Sequence, residues 1–278
     1  MQWRGRRQST NVDDRRGMKG GLIAGGGILG VIALVVNLLL GGDPEAVNVN
    51  LPGDNQALSP QEQAAQDEQA GFVKVVLADT EDVWTKLFAD AGSRYQPPTL
   101  VLFSGATSSD CGHANSASGP FYCPADNKVY IDLSFSDDLH KRFGAPGDFA
   151  MAYVVAHEVG HHIQNLLGTS SKVQRLRGRV SEAEYNKYSV MLELQADFYA
   201  GVWAHYQKGR GFLEAGDFEE AINAAHAIGD DNLQKQAQGY VVPESFTHGT
   251  SEQRMYWFKR GYDSGDPEKG DTFNASLN

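Results

Sequence analysis

What most constrains this chain is an apolar run over residues 149–167 with two imidazoles and a carboxylate at its centre, Ala156-His157-Glu158-Val159-Gly160-His161-His162. On an α-helix, residues four apart share a face, so His157 and His161 present their rings to one point. Phe149, Tyr153, Val154, Ala156, Ile163, Leu166 and Leu167 supply buried surface around them. Two imidazoles and a carboxylate placed there without a common partner would be costly. A tetrahedral zinc ion is the partner this spacing fits. Glu158, beside the first histidine, is then placed to accept and hand on a proton rather than to bind the metal. His162 falls roughly 140° round the helix from His157 and takes no metal role. Gly147 and Asp148 open the helix, with Asp148 as N-cap, and Gly168 closes it.

A third ligand is needed, and the stretch Met191-Leu192-Glu193-Leu194-Gln195-Ala196-Asp197-Phe198 offers one. Ser181 and Glu184 form a capping box, the helical pattern runs to Gly209, and Glu193 and Asp197 lie one turn apart. Glu193 is the expected zinc ligand, and Asp197 the group that takes a ligand histidine's other ring N–H. The alternative is an acidic stripe facing water. Val190, Leu192, Leu194, Ala196 and Phe198 leave no wide polar face for it.

The first twenty residues hold Arg4, Arg6, Arg7, Arg15, Arg16 and Lys19 against Asp13 and Asp14, whereas residues 20–42 hold no charge at all. About twenty apolar residues cross a bilayer core of roughly 30 Å. The expected order is a basic cytoplasmic segment over 1–20, one transmembrane helix over 21–40, a flexible Pro- and Asn-containing linker over 41–71 and a globular domain over 72–278. The positive-inside rule puts the N-terminus in the cytoplasm and the domain outside it. A cleaved signal peptide is the alternative, but the apolar stretch is long and lacks a small-x-small site. The whole chain carries −11. With about +4 in the first twenty residues, the remainder carries about −15, which argues against a nucleic-acid partner.

Within the domain, Val73, Val76, Leu77, Val83, Trp84, Leu87 and Phe88 recur at helical spacing. Residues 99–103 and 128–133 read as strands, and residues 217–228 and 232–237 as short helices carrying a structural His226. The fold class is therefore α+β, mainly α, with a small β-sheet. Cys111 and Cys123, the only cysteines, share a Gly- and Ser-rich loop. In an exported domain they pair as a disulfide; a second metal site with His113 would lack ligands.

Taken together, Arg4-Gly5-Arg6-Arg7-Gln8-Ser9, Asp14-Arg15-Arg16-Gly17, Gly119-Pro120-Phe121-Tyr122-Cys123-Pro124-Ala125-Asp126, the 157–162 motif, Glu193 to Asp197 and Thr247-His248-Gly249 resemble the putative neutral zinc metallopeptidase family of bacteria. The helix pair is also similar to the wider gluzincin arrangement. The resemblance implies a zincin-like fold, one Zn²⁺ on His157, His161 and Glu193, Glu158 as catalytic base and a protein or peptide substrate. By analogy with zinc peptidases of this order, the strand before the metal helix is an edge to which substrate adds; an ordinary strand remains open. Gluzincin-like membrane peptidases carry a histidine with an arginine six residues on, which implies that His248 and Arg254 approach the cleft. His248 would then contact the oxyanion or the substrate. A polar cap beside the Thr250–Gln253 capping box is the equal alternative, and Tyr130, Tyr199 and Tyr256 compete as donors.

The expected activity is membrane-anchored zinc-dependent peptide hydrolysis, most simply as an endopeptidase. The alternatives are a zinc-bound, non-catalytic scaffold in envelope assembly and a hydrolase of cell-wall peptides. Substrate preference and oligomeric state have no signature in the sequence.

Overall fold

A computed structural model describes residues 1–17 and 59–275. The helices are α1 (Pro60–Asp90), α2 (Phe135–Lys141), α3 (Asp148–Leu166), α4 (Thr169–Gln174), α5 (Glu182–Gly209), α6 (Asp217–Ala227), α7 (Asp230–Gln238) and α8 (Ser251–Ser264). The strands are β1 (Val12–Asp14), β2 (Thr99–Phe103), β3 (Ala106–Ser109), β4 (Gly112–Asn115), β5 (Phe121–Cys123) and β6 (Lys128–Asp132). The fold is thus mainly helical α+β, as the sequence implies.

One sheet has the order β1-β2-β6-β5, with β1, β2 and β6 mutually parallel and β5 antiparallel to β6; β3 and β4 form a separate hairpin. The period of two splits β2 and β6 between two cores. Leu100, Leu102, Val129 and Ile131 join the helical core, while Val101, Phe103 and Tyr130 meet Cys123 on the opposite face. The Cys111–Cys123 disulfide ties the β3–β4 turn to β5 on that side. β6 lies between β2 and β5, so it is not the edge onto which a substrate could add; β5 is. Local sequence gives no hint of this, because strand order is set by pairing across the chain.

Central to the helical core is α3, packed against α5 and α6, while α8 crosses α5 at glycines. A Cβ at Gly201 would lie 2.0 Å from Phe258 O, and one at Gly261 would lie 2.1 Å from Phe198 O. The N-cap of α3 is Gly147, not Asp148. The first-turn N–H of Phe149 goes instead to Glu220 Oε2 at 2.9 Å, and Asp148 pairs with the amino group of Met1 at 2.7 Å. A distant carboxylate has taken the capping role. The box at Thr250 forms with both halves, whereas at Ser181 the described contact is the Ser181 half alone, its Oγ accepting the N–H of Glu184.

Two expected boundaries move. Met1–Gly17 is not a separate segment but folds as one compact unit with Gln66–Asn278. The supposed linker over 41–71 becomes helix from Pro60. Residues 21–40 lie outside the described residues; among those described, no helix is long and apolar enough to cross a membrane.

Candidate metal centre

The spacing that placed His157 and His161 on one face of α3 becomes a site because α5 runs alongside at very short range. A Cβ on Gly160 would lie 2.9 Å from Ala196 O and 3.0 Å from Ala196 Cα. Glycine at this position lets the α5 backbone approach until Glu193 and Asp197, on either side of Ala196, reach the two histidines. His157 Nε2 lies 3.1 Å from Glu193 Oε2 and His161 Nε2 lies 3.4 Å from Glu193 Oε1. Donors about 2.0–2.1 Å from one tetrahedral zinc lie about 3.3–3.4 Å from each other, so the three residues fit that ion. Two imidazoles and one carboxylate are also the donor set that leaves a fourth position open.

The other ring nitrogens are fixed as well. Asp197 Oδ1 accepts from His157 Nδ1 at 2.8 Å, so the proton sits on Nδ1 and Nε2 is free for metal. Gln164 Oε1 does the same for His161 Nδ1 at 2.9 Å, and the Gln164 amide N–H groups go to Leu192 O and Gln195 Oε1. Asp197, wholly buried, also takes Arg254 Nε at 2.8 Å, Arg254 Nη2 at 3.0 Å and the Tyr153 hydroxyl. Four donors thus meet the four acceptor positions of one carboxylate.

The electrostatics follow from these contacts. Burial works against charge on His157, but Asp197 and then Glu193 outweigh it and hold its pKa up at about 10. Burial would raise Asp197, yet Arg254 and His157 bring it down to about 2. Glu193, likewise buried, is held well below the usual carboxylate range by His161 and His157. Carboxylates that hold protons on two imidazoles can hold a dication in their place, with release of those protons.

Glu158 is nearly buried but lines a cleft of about 900 Å³ together with His157, His161, Glu193, His248 and Arg254. Part of the wall is Gly119, Pro120, Phe121 and Tyr122, on and before the edge strand β5. His248 stands half-exposed at the cleft, and Asp230 holds it there. Asp230 Oδ2 accepts the backbone N–H groups of Thr247 and His248, each at 2.7 Å, and Oδ1 lies 3.1 Å from His248 Nδ1. None of Tyr130, Tyr199 and Tyr256 lines the cleft; Tyr130 bonds Asp126, Tyr199 packs on Trp84 and Tyr256 points to solvent. His162 is buried between Gln96 O and Tyr122, and His113 pairs with Ser108 on the exposed hairpin, so neither joins this cluster.

Sequence reading missed Tyr153, Gln164 and Asp230. The first two were within its reach, since they lie four residues before His157 and three after His161 on the same helix. Asp230 gave no local signal. Replacing Asp197 by Asn is expected to weaken zinc binding about 10–100-fold. With Arg254 left without its counter-charge, it is also expected to lower the unfolding free energy by about 3 kcal/mol. Chelator competition and urea unfolding read the two effects; a variant matching the parent in both would leave Asp197 no such role.

A family model described as putative neutral zinc metallopeptidase matches residues 1–273. The uncharacterized protein YpfJ of Escherichia coli strain K12 is 52% identical over an alignment of 291 positions covering 100% of both chains. The uncharacterized protein Rv2575 of Mycobacterium tuberculosis strain H37Rv is 45% identical over 194 positions, 66% of this chain and 64% of that one. No solved structure matches the chain.

Proposed function

This chain belongs to the putative neutral zinc metallopeptidase family, and from that premise we propose that it hydrolyses peptide bonds with one Zn²⁺ held by His157, His161 and Glu193. The observation that carries this reading is Glu158 facing the cleft beside three residues whose donor atoms converge within 4.8 Å. A purely structural zinc site has no use for a carboxylate beside its first ligand, which weighs against a non-catalytic scaffold.

Zinc, when bound, would supply Lewis acidity toward a carbonyl and a water of pKa near about 7. Glu158 takes the proton of the attacking water and delivers it to the leaving amine. Burial lowers the pKa of His248, but Asp230 and Glu193 outweigh it and raise it above the usual value. As an imidazolium it keeps Nδ1–H on Asp230 and has an Nε2–H to donate to the substrate oxygen as charge develops there. The free edge of β5 receives the substrate main chain along the cleft wall. Asp197 and Gln164 hold the Nδ1 protons of the two histidines, which directs both Nε2 atoms to the metal.

We place this domain outside the cytoplasm, where the Cys111–Cys123 disulfide persists, and attach it to the bacterial membrane through the apolar stretch 21–40. The test uses full-length protein. It is expected to carry about one zinc per chain and to cleave unfolded protein or peptide, to lose cleavage on chelation, and to regain it with added zinc. A parent that binds no zinc, or cleaves equally well without it, would refute the proposal. Activity on cell-wall peptides alone would keep the metal chemistry and change the substrate.

A further inference from the structure

The N-terminal arm is built into the domain. β1 pairs with β2 in the register Val12 to Leu100 and Asp14 to Leu102. On either side of it, Ser9 N–H reaches Lys74 O at 2.9 Å, and Arg15 N–H reaches Leu102 O at 2.7 Å. The Met1 side chain is buried, Trp3 packs edge-on against Phe72, and Arg6 lies over Phe212.

The five arginines among the described residues of this arm, which on sequence alone serve as part of a cytoplasmic flag, have other work. Arg4 pairs with Glu68, Arg6 with Asp79, Arg7 with Glu81 and Asp82, Arg15 with Asp13, and Arg16 with Asp14 and Asp67. Most of these carboxylates belong to α1. The arginines are a docking code matched to that helix, which is an alternative source for the charge pattern that the positive-inside rule reads as topology.

The chain leaves the domain after Gly17 and rejoins it at the same place, for Arg16 Nη1 donates to Gln66 O at 3.0 Å. One crossing would put the ends of the apolar stretch about 30 Å apart on opposite faces of a bilayer. A return crossing would need about twenty more apolar residues. Residues 43–58 cannot supply it, since they include Asp43, Pro44, Glu45, Pro52 and Asp54.

We infer that the arm Met1–Gly17 and the catalytic domain lie on the same side of the membrane. This replaces the arrangement that puts the arm in the cytoplasm and the domain beyond the membrane. It stands independently of catalysis.

The experiment introduces single cysteines into full-length protein in bacterial cells, Arg4→Cys on the arm and Lys141→Cys on the domain, both sites being well exposed. A membrane-impermeant maleimide is applied before and after lysis, with the parent as control. Identical behaviour of the two sites is expected. Labelling of both in intact cells agrees also with an extracytoplasmic domain. Labelling of both only after lysis upholds the inference while moving the domain to the cytoplasm. One site labelled in intact cells and the other only after lysis overturns it. Deleting residues 22–40 is expected to release the protein from carbonate-washed membranes, and a full-length chain that is already soluble would overturn the lipid attachment.

Discussion

Replacing Glu158 by Gln is expected to leave about one zinc bound and to slow peptide cleavage by about 10²–10⁴-fold, the range that a positioned acid–base group contributes. The separation is expected because Glu158 lies outside the group His157, His161 and Glu193, whose donor atoms converge without it. Glutamine has the same shape, so the packing of α3 against α5 is undisturbed, but its amide cannot accept and return a proton. The companion change Glu193→Ala works in the opposite order. It removes the carboxylate that faces both His157 Nε2 and His161 Nε2, so metal is lost first and activity with it. Metal analysis alongside initial rates distinguishes the two. A Glu158→Gln protein that cleaves at the parental rate, or a Glu193→Ala protein that keeps its zinc, would show that base or ligand has been misassigned.

The second large effect lies away from the cleft. Gly201→Ala is expected to destabilise the protein by about 4 kcal/mol or more, above the usual range of about 1–3 kcal/mol for an overpacked core. The new methyl would sit 2.0 Å from Phe258 O and 2.8 Å from Tyr262 N. Both are backbone atoms of a regular helix, so neither can turn aside as a side chain would, and α5 and α8 must separate. Asp197 lies one turn before Gly201 and Arg254 two turns before Gly261, so that separation also pulls at the Arg254–Asp197 pair. Gly209→Ala is the control, because a Cβ there meets nothing within 4 Å. Urea unfolding should shift sharply for the first variant and by under about 0.5 kcal/mol for the second. Equal midpoints would mean that the crossing is looser than the structure has it.

What was legible in the sequence was local. His157 and His161, Glu193 and Asp197, the caps at Ser181 and Thr250 and the strand at 99–103 each follow from spacing within one element. What was not legible depends on partners far along the chain. Asp148 looks like an N-cap until Glu220 arrives, and the strand at 128–132 looks like an edge until β5 folds against it. Arg4, Arg6 and Arg7 read as a membrane signal because their carboxylates, Glu68, Asp79, Glu81 and Asp82, lie far along the chain on α1. Gly160 is the instructive case. It sits inside the motif itself, yet its reason for being glycine is the approach of another helix.

The Asp197 carboxylate joins residues 153, 157 and 254, and this sets an order of events during synthesis. A chain still on the ribosome with only its first two hundred or so residues exposed already carries every expected zinc ligand and the base Glu158. It lacks Arg254, so the acid that orients His157 has no counter-charge until α8 arrives. His157 therefore gains its complete set of supporting contacts only after α8 has been made and docked against α5.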